Sequence, residues 1–294
     1  MSGHALLGLA GAEEVERYLG SVGEVFRVFR DQDSGCVSYG VRLPDGDRWF
    51  VKEATTDTAE RSLDRAWAFH RAVRHPVIVP QLHRFAVRHG RTAVVMPWRR
   101  GEVLYHPTSR RQGGRAELDS PMARFRALPL DRVCRALDGV LDAHLAVEAA
   151  GHVAVDLYDG AFLYDFDGDE LHLVDLDEYR PGPFVLAANR LPGSRRFMAP
   201  EEFRRGALID TRTTVHALGR SLRLLLDAGD DESAWRGTAA QRAVAERAAR
   251  ADPGERYCSV RELTEAWRAV TSGAYDIPLA AGRRGNHAVT GHPA

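Results

Sequence analysis

Hydrophobic and polar residues alternate along the first part of the chain in a pattern that predicts a small antiparallel sheet. Over residues 22–53 the pattern is strand-like, and Val37, Tyr39 and Val41 recur at period two, which is typical of a half-buried strand. The run Pro-Asp-Gly-Asp at 44–47 predicts a hairpin turn. The strand after this turn carries Lys52.

The pattern then changes to one helix and more strands. Residues 55–74 have helical spacing, and His75-Pro76 ends the helix because the residue before proline avoids the helical region. Two more strands are predicted, one from 78–79 and 82–87 and the other at 92–96, and a short helix over 12–19 precedes the sheet. Five strands and one helix are therefore predicted over residues 22–96.

The rest of the chain is predicted to be mainly helical. Residues 105–128 are polar and rich in turn residues, which predicts a long loop, and apolar residues at helical spacing follow Pro129. Short strands are expected at 161–165 and 171–174, an extended loop at 181–192, and helices at 200–205, 213–226, 238–250 and 260–271. The predicted organisation is an N-terminal extension (1–21), a β-rich unit (22–98), a helical unit (99–273) and a flexible tail (274–294).

Composition excludes several classes of protein. The 40 basic and 41 acidic residues nearly balance, so charge gives no reason to expect a nucleic-acid or anionic-membrane partner. No apolar stretch approaches the length of a membrane span, and the first 12 residues lack the basic region of a secretory signal. The three cysteines, Cys36, Cys134 and Cys258, are far apart and suggest neither a disulfide framework nor a zinc site. We expect a cytoplasmic protein.

One residue stands out from this composition. Lys52 is the only lysine in the chain, and the other 39 basic residues are arginine. Codon bias explains the excess of arginine but not the exception. Lysine differs from arginine where a compact charge must fit a tight site, so Lys52 is a candidate binding residue.

Several motifs follow one another in a characteristic order: Trp-Phe-Val-Lys at 49–52, His-Pro-x-Ile-Val at 75–79, Val-Asp-Leu at 155–157, Val-Asp-Leu-Asp at 174–177, and Gly-Ser-Arg-Arg-Phe-Met-Ala-Pro-Glu at 193–201. Over residues 22–271 this order resembles the protein-kinase superfamily, in particular bacterial, eukaryotic-like Ser/Thr kinases. The resemblance implies an α+β, bilobal fold with a small β-rich N-lobe and a larger helical C-lobe. It also implies ATP and Mg²⁺ as cofactors and a protein Ser/Thr hydroxyl as the phosphate acceptor.

The resemblance assigns roles in nucleotide binding. Lys52 would hold the α- and β-phosphates, and the segment containing Met96, Pro97 and Arg99 would form the hinge that binds adenine. Gly35 and Gly40 would belong to the glycine-rich loop over the phosphates, although Val37 replaces the middle glycine, so this match is weak.

It also assigns the residues of phosphoryl transfer. Asp156 would orient the substrate hydroxyl or accept its proton, and Asp175 would be the main Mg²⁺ ligand. Asp177 stands where this family has glycine, and we expect it to be solvated or paired with an arginine.

Three further positions depart from the family pattern. Ala161 replaces a metal-binding asparagine, and Tyr158 replaces a lysine. Asp159 could supply the missing oxygen ligand, or it could be only a turn residue before a glycine. The expected glutamate of the helix after Lys52 is also missing: Ala66 stands at its position, and Glu60 and Asp64 are candidate substitutes on the same helix.

The segment 193–201 is the most specific match. Its Ser194 corresponds to the hydroxyl residue typical of Ser/Thr specificity, and Glu201 is expected to form a buried ion pair with Arg256, which lies in a second matching segment.

Three functions are consistent with these motifs. The first is an ATP- and Mg²⁺-dependent protein kinase. The second is a pseudokinase that binds nucleotide without turnover, because of the substitutions at 158 and 161 and the missing helix glutamate. The third is a small-molecule phosphotransferase of the same fold, although such enzymes generally lack the Ala-Pro-Glu segment.

Overall fold

The computed structural model describes residues 4–30, 32, 34–105, 114–115 and 117–271. In these residues the fold is α+β, with one mixed six-stranded sheet and seven α-helices. The predicted tail lies outside the described residues, as do 106–113 and 116 of the predicted loop. No helix of the described residues is long and apolar enough to cross a membrane.

The six-stranded sheet has the order β1-β5-β6-β4-β3-β2, and every neighbouring pair is antiparallel except β1 and β5. The elements of this part are β1 (Gly11–Ala12), α1 (Val15–Val22), β2 (Glu24–Phe29), β3 (Cys36–Arg42), β4 (Arg48–Ala54), α2 (Asp57–Ala72), β5 (His83–Val87) and β6 (Thr92–Pro97). Thr56 begins α2 by accepting a hydrogen bond from the Ala59 N–H, which satisfies a free donor of the first turn.

The N-terminal residues are part of this sheet rather than an extension of it. Strand β1 pairs with β5, and Leu6 and Leu19 are fully buried in one core with Val41, Trp49 and their neighbours. The predicted boundary at residue 22 therefore does not separate two structural units. A two-residue strand has no periodicity from which it could be predicted.

The second part of the chain is mainly helical. Its elements are β7 (Glu102–Val103), α3 (Pro121–Arg126), α4 (Leu130–Ala149), β8 (His152–Val153), β9 (Phe162–Asp165), β10 (Glu170–Leu173), β11 (Arg180–Pro181), β12 (Phe184–Val185), β13 (Leu208–Ile209), α5 (Thr211–Leu225), α6 (Ala239–Ala248) and α7 (Val260–Thr271). Its larger core includes Tyr164, Phe197 and Trp267. The short strands form three small sheets, β10-β9-β7, β11-β8 and β12-β13.

The structure differs from three of the secondary-structure predictions. The predicted loop 105–128 contains α3, which begins with proline and is capped by the Ser120 hydroxyl. The segment predicted as a helix at 200–205 is a 3₁₀ turn over Pro200–Phe203. The predicted strand at 78–79 is only a single bridge from Ile78 to Leu173 of β10. This bridge connects the sheet region to the helical region.

Candidate functional site

Lys52 lies where the sheet meets the helical part of the chain. Its strand, β4, pairs with β3 and β6 on either side, and its side chain is 8% exposed. The Nζ atom lies 2.7 Å from Oδ1 of Asp175 and 2.5 Å from Oδ2 of Asp177. Burial alone would lower the pKa of Lys52, but these two carboxylates outweigh it and raise the pKa well above its ordinary value.

Asp177 corrects one prediction made from the sequence. Its side chain is only 13% exposed, and its ion-pair partner among the described residues is the ammonium of Lys52 rather than an arginine. The sequence shows the second aspartate of the Asp-Leu-Asp motif. It does not show the partner of that aspartate, because Lys52 lies 125 residues away.

The two candidate substitutes for the helix glutamate have other partners. Glu60 accepts hydrogen bonds from the backbone N–H and the hydroxyl of Thr92, at 2.7 Å and 2.9 Å. Asp64 forms an ion pair with Arg84 at 2.7 Å. Glu60 and Asp64 therefore bind α2 to strands β6 and β5.

Asp175 follows β10 in a left-handed backbone conformation, with φ 57°. Its side chain is 40% exposed although it contacts Lys52, and the Tyr158 hydroxyl donates to its second oxygen over 3.2 Å. An accessible carboxylate oxygen suits a hard divalent cation. Within the described residues, no group of three or more acidic, histidine or cysteine side chains is placed to hold a metal ion.

Asp156 also has a left-handed backbone, with φ 62°. Burial, together with the negative charges of Asp175 and Glu178, raises its pKa to about 7, and a backbone hydrogen bond from Ser194 opposes the shift. Non-glycine residues in this conformation are uncommon and concentrate at functional sites. The structure thus places Asp156 close to Asp175 and to the backbone of Ser194.

Asp159 has a partner that was not predicted. Its carboxylate is 1% exposed and forms a two-point ion pair with Arg115, whose guanidinium also lies 3.5 Å from the ring centre of Tyr105. Ala161, at the position of the missing metal ligand, is completely buried. A carboxylate already neutralised by arginine would have to lose that partner before it could bind a cation, so this geometry favours a structural role for Asp159.

Most of the predicted glycine-rich loop is a strand in the structure, because β3 begins at Cys36. Gly40 lies within β3, and a side chain there would come within 2.8 Å of the rings of Phe26 and Trp98. Gly35 does lie in the turn before β3, at φ 69°, where L-residues are strained. Gly40 is therefore needed for close packing of aromatic rings, whereas Gly35 is needed for the turn.

The predicted hinge residues lie at the end of β6 and just beyond it. Met96 pairs with Phe50 and Pro97 with Trp49, while Arg99 is exposed after the strand. Side chains two residues apart in a strand point to the same face, so Phe50 and Lys52 share a face of the sheet with Met96. The segment that joins the sheet to the helical part therefore begins on the same face as Lys52.

The predicted pair of Glu201 and Arg256 is confirmed. The guanidinium donates from Nη1 to Oε1 over 2.6 Å and from Nη2 to Oε2 over 2.8 Å, and the two side chains are 3% and 0% exposed. Burial opposes ionisation of Glu201, but the hydrogen bonds from Arg256 outweigh it and lower its pKa. The pair holds the segment 193–201 against the turn before α7.

A scan against protein-family models finds no match to this chain, and a search of curated proteins finds none with significant similarity. A functional assignment therefore depends on the motifs and on the site geometry.

Proposed function

We propose that this chain is an ATP- and Mg²⁺-dependent phosphotransferase of the protein-kinase type, with a bilobal kinase fold, and that it transfers the γ-phosphate to a Ser/Thr hydroxyl of a protein. The observation that carries this proposal is the contact between Lys52 and Asp175, which are 123 residues apart. Phosphoryl transfer requires a cation on the nucleotide phosphates and a carboxylate that binds metal, close together.

The residues of this site fit ATP and Mg²⁺. Lys52 would contact the phosphates, and Asp175 would hold Mg²⁺ through its exposed carboxylate. Adenine would bind along the hinge that follows Met96, which shares a face of the sheet with Lys52. When bound, Mg²⁺ would neutralise charge that develops on the transferred phosphoryl group.

Asp156 supplies the remaining function, which is to orient the acceptor hydroxyl. A pKa of about 7 is close to that of an efficient general base at neutral pH. Its carboxylate lies near Gly193, where an added side chain would come within 3.4 Å of Oδ1. Asp156 therefore adjoins the segment that would position a protein substrate.

A second candidate function is nucleotide binding without turnover. The specific observation in its favour is that Asp159 is held by Arg115 while Ala161 has no ligand atom in its side chain. Asp175 would then hold a metal ion without a ligand from position 159 or 161.

Transfer from γ-³²P-ATP to a generic basic protein, together with nucleotide-dependent thermal protection, separates these functions. We expect Asp156→Asn to reduce transfer by a factor of about 10²–10⁴. Lys52→Ala and Lys52→Arg should both lose protection by Mg²⁺ and ATP, because a planar guanidinium does not replace a compact ammonium. Asp167→Asn makes the same chemical change as Asp156→Asn at a side chain that is 82% exposed, and it should behave like wild type.

Each alternative has its own result. Protection by ATP without transfer to any hydroxyl would favour the second candidate. Transfer only to members of a metabolite panel would indicate a small-molecule phosphotransferase. If ATP and Mg²⁺ gave wild-type protein no protection, or protected Lys52→Ala equally, the proposal would be wrong.

A further inference from the structure

The two carboxylates that contact Lys52 differ in their access to solvent. Asp175 is 40% exposed and also accepts a hydrogen bond from Tyr158, whereas Asp177 is 13% exposed. The shorter of the two contacts, 2.5 Å, is the one to Asp177. A ligand approaching from solvent therefore reaches Asp175 more readily than Asp177.

A buried ammonium requires a partner at all times. The Lys52 side chain is 8% exposed, and a buried charge that loses its only partner is strongly destabilising. Among the ion pairs of the described residues, Lys52 has two partners, Asp175 and Asp177. If Asp175 turns its carboxylate to a cation, Asp177 remains to neutralise Lys52 and fix its position.

Helix α2 reaches this site through the residue next to Asp177. The Ser62 hydroxyl donates to Oε1 of Glu178 over 2.7 Å, Arg65 pairs with the same carboxylate, and Arg180 donates to its other oxygen over 2.5 Å. The segment 177–178 thus holds Lys52 with one carboxylate and α2 with the next.

We propose that Asp177 is the positioning residue of Lys52: it holds the ammonium in the site when the Asp175 carboxylate turns to a cation. This inference rests on the proposed function, because it concerns how Lys52 is presented to the nucleotide. Asp177 itself would not touch the reacting atoms.

The single lysine makes this proposal directly measurable. Protein labelled with ¹³C-lysine gives one set of lysine side-chain signals, and these come from Lys52 alone. A lysine held in one conformation shows two distinct Hε resonances, whereas a mobile lysine shows one averaged resonance. We expect distinct resonances in the wild-type protein with Mg²⁺ and no nucleotide, and an averaged resonance in Asp177→Asn under the same conditions, because Asp175 then contacts the cation.

Glu178→Gln is the matched control. Its side chain is 16% exposed, close to the 13% of Asp177, but its ion pairs are with Arg65 and Arg180 rather than Lys52. The two Hε resonances should remain distinct in this variant. They should also remain distinct in Asp177→Glu, which keeps the negative charge and serves as a second variant if Asp177→Asn does not fold.

Kinetics provide a second measurement. Asp177→Asn should raise KM for ATP about tenfold, with a smaller effect on kcat, because ground-state contacts to the phosphates are weakened. Asp177→Glu should restore KM to within about threefold of wild type.

The outcomes separate the two proposals. Distinct Hε resonances in Asp177→Asn, or averaged ones in both Asp177→Glu and Glu178→Gln, would overturn the role of Asp177. If Mg²⁺ and ATP did not shift the Lys52 signals of the wild-type protein, the proposed function would fail, whatever the spectra without nucleotide showed about Asp177.

Discussion

Loss of Arg256 should be among the most destabilising single changes in this protein. The guanidinium makes two hydrogen bonds to Glu201 and donates to three backbone carbonyl groups, those of Arg250, Arg212 and Ala251, at 2.7, 3.0 and 2.9 Å. Arg256→Met would remove all five hydrogen bonds and leave the Glu201 carboxylate buried. The hydroxyl of Thr213, 2.9 Å away, would be its remaining side-chain donor.

The expected loss of stability follows from breaking this buried ion pair. Breaking a buried ion pair by removing one partner costs about 3–5 kcal/mol of the free energy of unfolding, because the other charge is left uncompensated. Glu201→Met should cost a similar amount, since it leaves the cation buried. Replacing both residues by Met should cost less than the two single changes summed, because the double variant buries no unpaired charge.

Urea denaturation at pH 7 and pH 5 is the appropriate assay. In the wild-type protein the pKa of Glu201 is below its ordinary value of 4.5, so the stability contributed by its carboxylate persists above that value and is lost only in stronger acid. In Arg256→Met the pKa of Glu201 should instead rise. The deficit of this variant should therefore shrink from pH 7 to pH 5, as the buried carboxyl takes up a proton.

Arg242→Ala is the control, because its pair with Glu246 is about half exposed, at 46% and 51%, and its loss should change stability by less than about 0.5 kcal/mol. Additive effects of the two methionine substitutions, or a deficit for Arg256→Met that does not change with pH, would refute this reasoning.

Three further changes test other parts of the structure. Asp156→Asn should raise the free energy of unfolding at pH 8 by about 1–3 kcal/mol. The pKa of Asp156 rises from 3.8 to about 7 on folding, so the wild-type protein loses stability as pH increases between these values. A variant less stable than wild type at pH 8 would contradict this. Asp159→Asn should lower the free energy of unfolding by about 1–3 kcal/mol, because the ion pair with Arg115 is lost. It should leave the Mg²⁺ dependence of phosphate transfer unchanged. A variant that needs more Mg²⁺ would indicate that Asp159 is a metal ligand after all. Leu6→Ala should lower the free energy of unfolding by about 2–5 kcal/mol in urea denaturation, because Leu6 is fully buried. The control Leu118→Ala, at a residue 93% exposed, should change it by less than about 0.5 kcal/mol. Equal effects would show that the N-terminal residues are not part of the core.

The elements that the sequence predicts well are those with local determinants. The turn at 44–47 joins β3 and β4 as expected, and the helical pattern at 260–271 matches α7. The long helix after Pro129 begins at Leu130. In each case the signal is turn chemistry or a repeat of apolar residues within one element.

Other features depend on contacts between distant residues. Helix α3 lies in a polar stretch and buries few apolar side chains, chiefly Met122 and Phe125, so periodicity is weak there. The partners of Asp177 and Asp159 lie 125 and 44 residues away. No local pattern indicates which basic side chain pairs with which carboxylate, and the chain contains 40 lysine and arginine residues.

The short strand β1 has a consequence for self-association. The outer edge of β5 is covered because the His83 ring hydrogen-bonds to the Leu9 carbonyl over 2.7 Å, and the Ala86 N–H donates to the Ala10 carbonyl over 3.1 Å. An uncovered edge strand is a template on which another chain can add. Since β1 is only two residues long, it satisfies the backbone of β5 without offering a long new edge of its own, and protein that lacks the first dozen residues should aggregate through β5.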